Sequence, residues 1–334
     1  MSAGLPSGAR YLAIWMAACR RDTKALPDRK KFPVAVLIRP EKDGSDTVLG
    51  WDPSADEGIG GWVGYAEFLT RLPRLADVDL EDLAADPGED RSSRPEQEQK
   101  RARQQRQTQN FIQKILRSAE LYEHPTVFMA HAQNSRQQWT WLQDGSVRPD
   151  MIRTGQAPPA RILPWLRLVR IRTGEQGETA QWWGVAVENG INGLPAGLWT
   201  QTGTGATPVT DARVFYSTTG KAFQFSASAV EADILAARPI RSGENKGGKK
   251  VDTGTPAWNP SLVEIAVLGC HPDQGDNPEA IAMALHQQRQ APDYRDALRL
   301  PLPLHLAQLA QEYVLPTARD DIAPEEPTPV QAAN

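Results

Sequence analysis

The sequence has few of the residues that build disulfide-bonded or metal-stabilised proteins. Its 334 residues include two cysteines, Cys19 and Cys270, and five histidines. The cysteines are not spaced as a metal-binding or redox pair, so a structural zinc site is not expected. This cysteine usage is typical of a protein of the reducing cytoplasm.

Long apolar runs are also missing. The stretch from Tyr11 to Ala18 is apolar but too short to span a bilayer or to act as an export signal. We therefore predict no membrane association and a cytoplasmic location.

A strong net charge is absent as well, since the formal net charge is −4. The charges are unevenly distributed, however. Residues 77–90 carry seven acids and no base, residues 91–117 carry eight Lys/Arg against two Glu, and residues 161–172 carry four Arg and no acid. Such a distribution allows a local basic groove on an acidic protein.

The most informative stretch runs from His124 to Asp150. Pro125 to Ala130 is a short apolar run typical of a buried strand, and it stops at His131, the first of several polar residues. Ligands of α/β proteins bind outside the carboxyl ends of the strands. This stretch therefore predicts either a binding site or a solvated loop that follows a core strand.

Strands and helices alternate along the chain, which indicates an α/β fold with a central mixed β-sheet flanked by helices. Predicted strands cover residues 32–38, 47–51, 62–65, 125–130, 165–172, 181–187, 214–217, 222–225 and 262–268. Predicted helices cover residues 11–21, 66–75, 95–122, 230–237, 278–290 and 304–314.

This pattern predicts one large domain with short additions. Residues 1–30 form an N-terminal helix and lead-in, residues 31–315 form the domain, and residues 316–334 form a disordered tail. Composition predicts a mobile insertion at 77–95 and a flexible loop at 241–257.

Two of the predicted helices carry polar faces of interest. The first half of the 95–122 helix is polar all round, which fits a solvated surface or a phosphate contact by Arg101, Arg103 or Arg106. In the closing helix, the spacing predicts an apolar stripe of Leu306, Leu309, Ala310 and Tyr313. It places His305, Gln308 and Glu312 on the opposite face.

Several motifs resemble the prokaryotic PIWI-RE family of RNase H-like PIWI domains. The run from His131 to Gly145 is similar to the family's "DAQNxR…W.WL.(N/D)G" signature. The other similar segments are LPWLRLVRIRT (163–173), GLWT (197–200), VFYS (214–217), NPSLVEIAVL (259–268) and LPLPLHLAQLAQEY (300–313). The resemblance covers residues 30 to 315 and implies an RNase H-like fold.

The resemblance also implies a function. It indicates a nucleic-acid-binding module of a prokaryotic defence system that grips a guide–target duplex, such as an RNA–DNA hybrid. Its expected partners are a helicase and a separate nuclease. The MID-like domains found upstream in such proteins would lie on another chain or be missing from this one.

Catalytic acids are expected in the first strand and directly after the central strand, where RNase H-type chemistry holds two divalent ions. With residues 32–38 as the first strand, Arg39 stands where an acid is expected. His131 replaces the Asp of "DAQN", and Gln308 stands where Argonautes often have His or Asp. These departures from the family pattern indicate a domain that binds nucleic acid without cutting it and without a cofactor.

The remaining polar residues of these motifs are candidates for nucleic-acid binding. They are Asn134, Arg136, Arg170, Arg172, His305 and Glu312. The family is named for a characteristic Arg and Glu, which the motifs place at Arg136 and Glu312, with Glu264 as the alternative Glu.

Two other functions remain open at this point. An active Mg²⁺- or Mn²⁺-dependent nuclease would need acids from unexpected places, such as Asp43, Asp144, Glu188, Glu264 or Asp276. A scaffold domain without nucleic-acid contact would instead join Arg136, Arg170 and Glu312 in an ion-pair network.

Overall fold

A computed structural model describes residues 4–18, 31–81, 94–143, 150, 163–173, 179, 196–200, 212–219 and 262–314. The strands predicted at 181–187 and 222–225, the helix at 230–237, the loop at 241–257 and the tail at 316–334 lie outside these residues. The predicted insertion at 77–95 overlaps helices at both ends, and residues 82–93 also lie outside.

The centre of the described structure is a mixed sheet of nine strands in the order β4-β3-β2-β1-β5-β6-β9-β8-β7. Strand β1 pairs in parallel with β5, and β5 in parallel with β6, while the other neighbours are antiparallel. The strands are β1 (Arg10–Ala18), β2 (Lys31–Pro40), β3 (Asp46–Asp52), β4 (Gly61–Gly64), β5 (Thr126–His131), β6 (Leu166–Thr173), β7 (Gly197–Thr200), β8 (Val214–Thr218) and β9 (Val263–Gly269).

Helices cover both faces of this sheet. They are α1 (Tyr65–Glu81), α2 (Arg94–Leu116), α3 (Ala132–Ser135), α4 (Pro278–Gln288) and α5 (Leu302–Ala310), which continues as a 3₁₀ turn (Gln311–Tyr313). On one face, α2 contributes Ile112 and Ile115 to the core. On the other face, α1, α4 and α5 contribute Phe68, Ile281 and Leu304.

The predicted α/β fold with a central mixed sheet is therefore confirmed. Strand β5 is buried at all six positions, as an uninterrupted apolar run in the middle of a sheet should be. None of the helices in the described ranges is both long and apolar enough to cross a bilayer.

The predicted N-terminal helix at 11–21 is wrong, because residues 10–18 form strand β1. Leu12 to Ala17 are all buried. A helix on a protein surface would expose part of such a run, whereas a strand covered on both faces buries all of it. The sheet thus begins at Arg10, between β2 and β5, and not at residue 31.

A buried ion pair joins β6 to the loop before α4. The Arg167 guanidinium donates from Nε to Asp276 Oδ2 (2.7 Å) and from Nη2 to Asp276 Oδ1 (3.0 Å). The amide of His271 donates to the same carboxylate at 2.8 Å. This two-pronged geometry offsets the cost of burying both charges.

We expect Asp276→Ala to lower the free energy of unfolding by about 3–5 kcal/mol, because it leaves the buried Arg167 charge without its carboxylate. Urea unfolding followed by tryptophan fluorescence measures this change. The control is Asp273→Ala, an exposed acid three residues earlier. Equal losses from both substitutions would contradict the structural role of the pair.

Candidate functional site

The carboxyl ends of parallel strands β1, β5 and β6 meet at one edge of the sheet, where α3 directly follows β5. Two side chains of α3 hold this edge together. Asn134 accepts from Met16 N (2.7 Å) and donates to Met16 O (3.0 Å), which ties α3 to β1. Gln133 donates to Thr173 O (2.7 Å) and accepts from Thr173 N (3.1 Å), which ties α3 to β6.

His131 forms the turn from β5 into α3. Its Nδ1 accepts the backbone N–H of Asn134 at 3.3 Å and so caps the helix, which leaves the imidazole proton on Nε2. The residue is 6% exposed, and Nε2 has no hydrogen-bond partner in the described part of the chain. Burial, with a smaller effect of the Arg299 charge, lowers the pKa of His131 to about 4. His131 is therefore neutral at physiological pH.

Trp15 of β1 lies against His131, with 5.2 Å between the ring centroids. The Trp15 indole Nε1 donates to Gln311 Oε1 at 3.2 Å, and the same oxygen accepts from Ala18 N at 3.3 Å. The Trp15–His131 ring pair thus fills the edge on the α5 side of the sheet, and the Gln311 side-chain amide accepts the indole N–H. Sequence reasoning missed Trp15 and Gln311, since their contact depends on how the 3₁₀ turn after α5 packs against β1, which lies 296 residues away in sequence.

On the α2 side of the same edge lies a cluster of three buried charges, Arg170, Arg172 and Glu264, each 7% exposed. Glu264 Oε1 lies 3.6 Å from Arg170 Nη2 and 3.9 Å from Arg172 Nη1. Arg170 also donates to Leu142 O at 3.4 Å. The three residues meet because β6 and β9 pair with Arg172 opposite Glu264.

The two tryptophans after α3 belong to the core. Trp139 and Trp141 are 1% and 6% exposed, and Trp139 stacks on Phe128 with 5.5 Å between centroids. Neither indole is placed to stack on a base.

Arg39 does not occupy the position predicted for it. The first strand is β1, and Arg39 lies near the end of β2, at the opposite end of the sheet from His131. There it donates to Glu41 (2.9 Å) and Glu120 (2.9 Å), and Glu120 also pairs with Arg10 (3.1 Å). This ion-pair cluster joins β1, β2 and the segment after α2.

The predicted apolar stripe of the closing helix is confirmed at Leu306 and Ala310, which pack in the core, and wrong at Leu309 and Tyr313. The buried residues of α5 and of the position after its 3₁₀ turn are Pro303, Leu304, Ala307, Ala310 and Val314. Leu309 and Tyr313 are instead 39% and 48% exposed. The prediction started the stripe two residues late, because it did not count the buried Pro303–Leu304 pair as the first turn.

The predicted binding residues do not form one cluster. Arg170 and Arg172 meet Glu264 on the α2 side of the sheet. His305 packs edge-on against Tyr294 (5.2 Å) on the α5 side, and Glu312 is exposed beyond α5. Gln308 is half-buried on the same helix. Of the three residues in the ion-pair network predicted for a scaffold, Arg136, Arg170 and Glu312, Arg170 pairs with Glu264.

The acids considered for a nuclease are engaged at separate places. Asp43 accepts from Ser45 in a turn (2.6 Å), Asp276 holds Arg167, and Glu264 lies between two arginines. Asp144 and Glu188 lie outside the described residues. Among the described side chains, no group of three or more His, Cys, Asp or Glu could hold a metal ion.

The strand order, with a β-meander leading into parallel strands covered by helices, defines an RNase H-like α/β domain. The family described as "RNaseH domain of pPIWI_RE" matches residues 11–316, and the chain belongs to this family. No curated protein matches the sequence. The matched range begins at Tyr11, the second residue of β1.

We expect protonation of His131 to destabilise the fold at acid pH. Its folded pKa of about 4 lies below the unfolded value of about 6.5, so the unfolded chain binds the proton more tightly. Stability attributable to His131 is present above pH 6.5 and falls by roughly 3 kcal/mol as the pH drops to 4.

Urea unfolding of the parent chain and of His131→Asn across this pH range measures the effect. Asn can still cap α3 but does not titrate. The stability of the variant should therefore depend less steeply on pH than that of the parent. Identical pH dependence in the two proteins would show that His131 is not held neutral.

We expect Asn134→Ala to destabilise the domain by about 1–3 kcal/mol, because both backbone groups of Met16 lose their partner. Gln137→Ala, an exposed residue of the same segment, serves as the control. If Asn134→Ala left thermal stability unchanged but weakened nucleic-acid binding, Asn134 would act as the predicted ligand contact and not as the residue that holds α3 to β1.

Proposed function

We propose that this chain binds a guide–target nucleic-acid duplex without cutting it. One observation carries the proposal: β1 and the segment from His124 to Gln143 contain no Asp or Glu. These are the two places where a PIWI-type RNase H domain is expected to hold its catalytic acids. Trp15 and a neutral His131 meet there instead.

These residues do not fit a pair of divalent ions. A tryptophan offers no oxygen ligand, and Nδ1 of His131 already accepts a hydrogen bond from Asn134 N. Hard cations such as Mg²⁺ need several oxygen ligands with near-octahedral geometry. No catalytic step through metal ions is therefore part of the proposed function.

Membership of the PIWI-RE RNase H family supports nucleic acid as the ligand. At the edge itself, Arg136 is the residue best placed for a phosphate. It is half-buried at the end of α3, and its backbone N–H donates to Ala132 O (2.9 Å). A guanidinium held on a short, clamped helix loses little freedom when it binds a phosphate.

The buried Arg170–Glu264–Arg172 cluster has a supporting role in this proposal. Its members are too enclosed to reach a duplex backbone, and Arg170 holds Leu142 O from below. We propose that this cluster fixes the backbone conformation of residues 139–142, the segment that follows Arg136 in the chain. We therefore propose a positioning role for Arg170 and Arg172 in place of the direct contacts that the sequence predicts.

The wider setting follows from the family resemblance and belongs to the same proposal. The chain acts in prokaryotic defence, on a guide–target hybrid of RNA and DNA. It works with a helicase and a separate nuclease that cuts what this domain holds. MID-like domains on another polypeptide hold the end of the guide.

We expect Arg136→Ala to weaken binding of a labelled RNA–DNA hybrid and to reduce the slope of log K against log[salt] by about 0.9 or less. Fluorescence anisotropy across a salt series, with Mg²⁺ present and products checked on a gel, measures both binding and cleavage. The control is Lys42→Ala, which removes one exposed charge in the β2–β3 turn, at the opposite end of the sheet.

Three results would contradict the proposal. Cleavage that depends on the metal would restore the nuclease. Failure of the parent chain to bind any nucleic acid, even at low salt, would favour a scaffold. Equal affinity of Arg136→Ala and the parent, with equal melting temperatures, would remove Arg136 from the binding surface.

A further inference from the structure

Helix α2 presents a line of basic side chains on the face turned away from the protein. Residues 103, 106, 110, 114 and 117 are spaced three or four apart, so they lie along one side of the helix. All five are exposed, and we call them the α2 outer face: Arg103, Arg106, Asn110, Lys114 and Arg117.

The opposite side of α2 fixes how this face is presented. Thr108, Ile112 and Ile115 are buried there, and the two isoleucines belong to the core beneath the sheet. Because the buried side points into the protein, the outer face is exposed from residue 103 to residue 117. The line from residue 103 to residue 117 is about 21 Å long at 1.5 Å per residue.

Hydrogen bonds at three levels hold the helix and the segment after it in place. Gln105 Nε2 donates to Gln137 O (3.0 Å), Lys114 Nζ donates to Gly58 O (3.3 Å), and Trp62 Nε1 donates to Ser118 Oγ (3.0 Å). A polar helix of this composition would be marginal alone. Its attachment means that the outer face is presented as a rigid line of charge.

The charge of this face is not balanced within the helix. No Asp or Glu occurs from residue 99 to residue 119, although the whole chain carries a net charge of −4. Lys114 lies near acids of another segment, since its acceptor Gly58 follows Asp56 and Glu57 in the chain. The outer face is therefore a local basic site on an acidic protein.

We propose that the α2 outer face binds the phosphate backbone of a nucleic-acid strand. This inference rests on the proposed function and extends its binding surface beyond Arg136. One strand of a duplex carries one phosphate per about 3.4 Å of helix axis, so a line of about 21 Å spans about six phosphates. Arg and Lys donate to phosphate oxygens, and Asn110 can donate from its amide.

Two features favour a nucleic acid over a membrane surface or a protein as the partner of this face. The outer face has no apolar side chain, whereas a helix that lies on a membrane needs an apolar face to insert. It also lacks the aromatic and aliphatic anchors on which protein interfaces depend. What remains is charge at regular intervals, which matches a phosphate backbone.

The position of the face gives continuity with the edge site. Gln105 of α2 contacts the backbone of Gln137, the residue directly after Arg136. A strand held at Arg136 can thus continue past this contact onto Arg103 and Arg106 and run on towards Arg117. The two sites form one path along the α2 side of the sheet.

The test is the double variant Arg106→Gln/Arg117→Gln, which removes two exposed charges and keeps polar side chains. We expect weaker binding of an RNA–DNA hybrid and a salt slope smaller by about 1.4–1.8, at 0.7–0.9 per phosphate contact. Each single variant should show about half of this change. Arg295→Gln is the charge-matched control for each single variant, at an exposed position in the loop between α4 and α5, the helices of the opposite face.

The outcomes separate this proposal from the proposed function. If Arg136→Ala weakens binding but Arg106→Gln/Arg117→Gln leaves affinity and slope unchanged, the α2 proposal is wrong and the function stands. If the parent chain binds no nucleic acid, both are wrong. Anionic lipid vesicles and an acidic peptide are included as competitors, and binding to either one in place of nucleic acid would overturn the α2 proposal. Thermal melting of each variant checks that the fold is intact.

Discussion

The double clamp of α3 onto β1 and β6 is the constraint on which the rest of the edge depends. Parallel strands need long crossovers, so nothing local in the chain brings their ends together. Asn134 and Gln133 each bond both backbone groups of a residue at a neighbouring strand end, Met16 and Thr173. Because the clamps lie on adjacent residues, they fix the positions of the two strand ends and of α3 together.

Aromatic side chains fill this edge of the sheet, at the place where a nuclease of this fold would hold carboxylates and metal ions. Clustered carboxylates repel one another and are stable only when cations lie between them. Trp15 and neutral His131 carry no such charge, so their rings pack in contact. The Trp15 indole N–H donates to Gln311 Oε1. An edge of this kind needs no metal ion to offset its charge, which agrees with the proposed binding function.

Sequence reasoning found most of the fold because its strongest signals are local. Uninterrupted apolar runs marked β2, β5 and β9, and alternation marked β6. The same signal was present in Tyr11–Ala18, and its assignment to a helix moved the first strand from β1 to β2 and misplaced Arg39. The meeting of Trp15 with His131, and of Arg172 with Glu264, could not be predicted, because each depends on the register between strands distant in sequence.

The arginines show most clearly how burial redirects a functional interpretation. The run from 161 to 172 suggested a basic groove, yet Arg167, Arg170 and Arg172 are all buried against acids. An arginine committed to an internal acid adds little to the surface potential, so these three arginines contribute little to the attraction of a polyanion. In the polar helix α2, whose composition also fitted an ordinary solvated surface, Arg103, Arg106 and Lys114 are exposed. A nucleic acid attracted to this acidic protein should therefore meet α2 before it reaches the sheet edge.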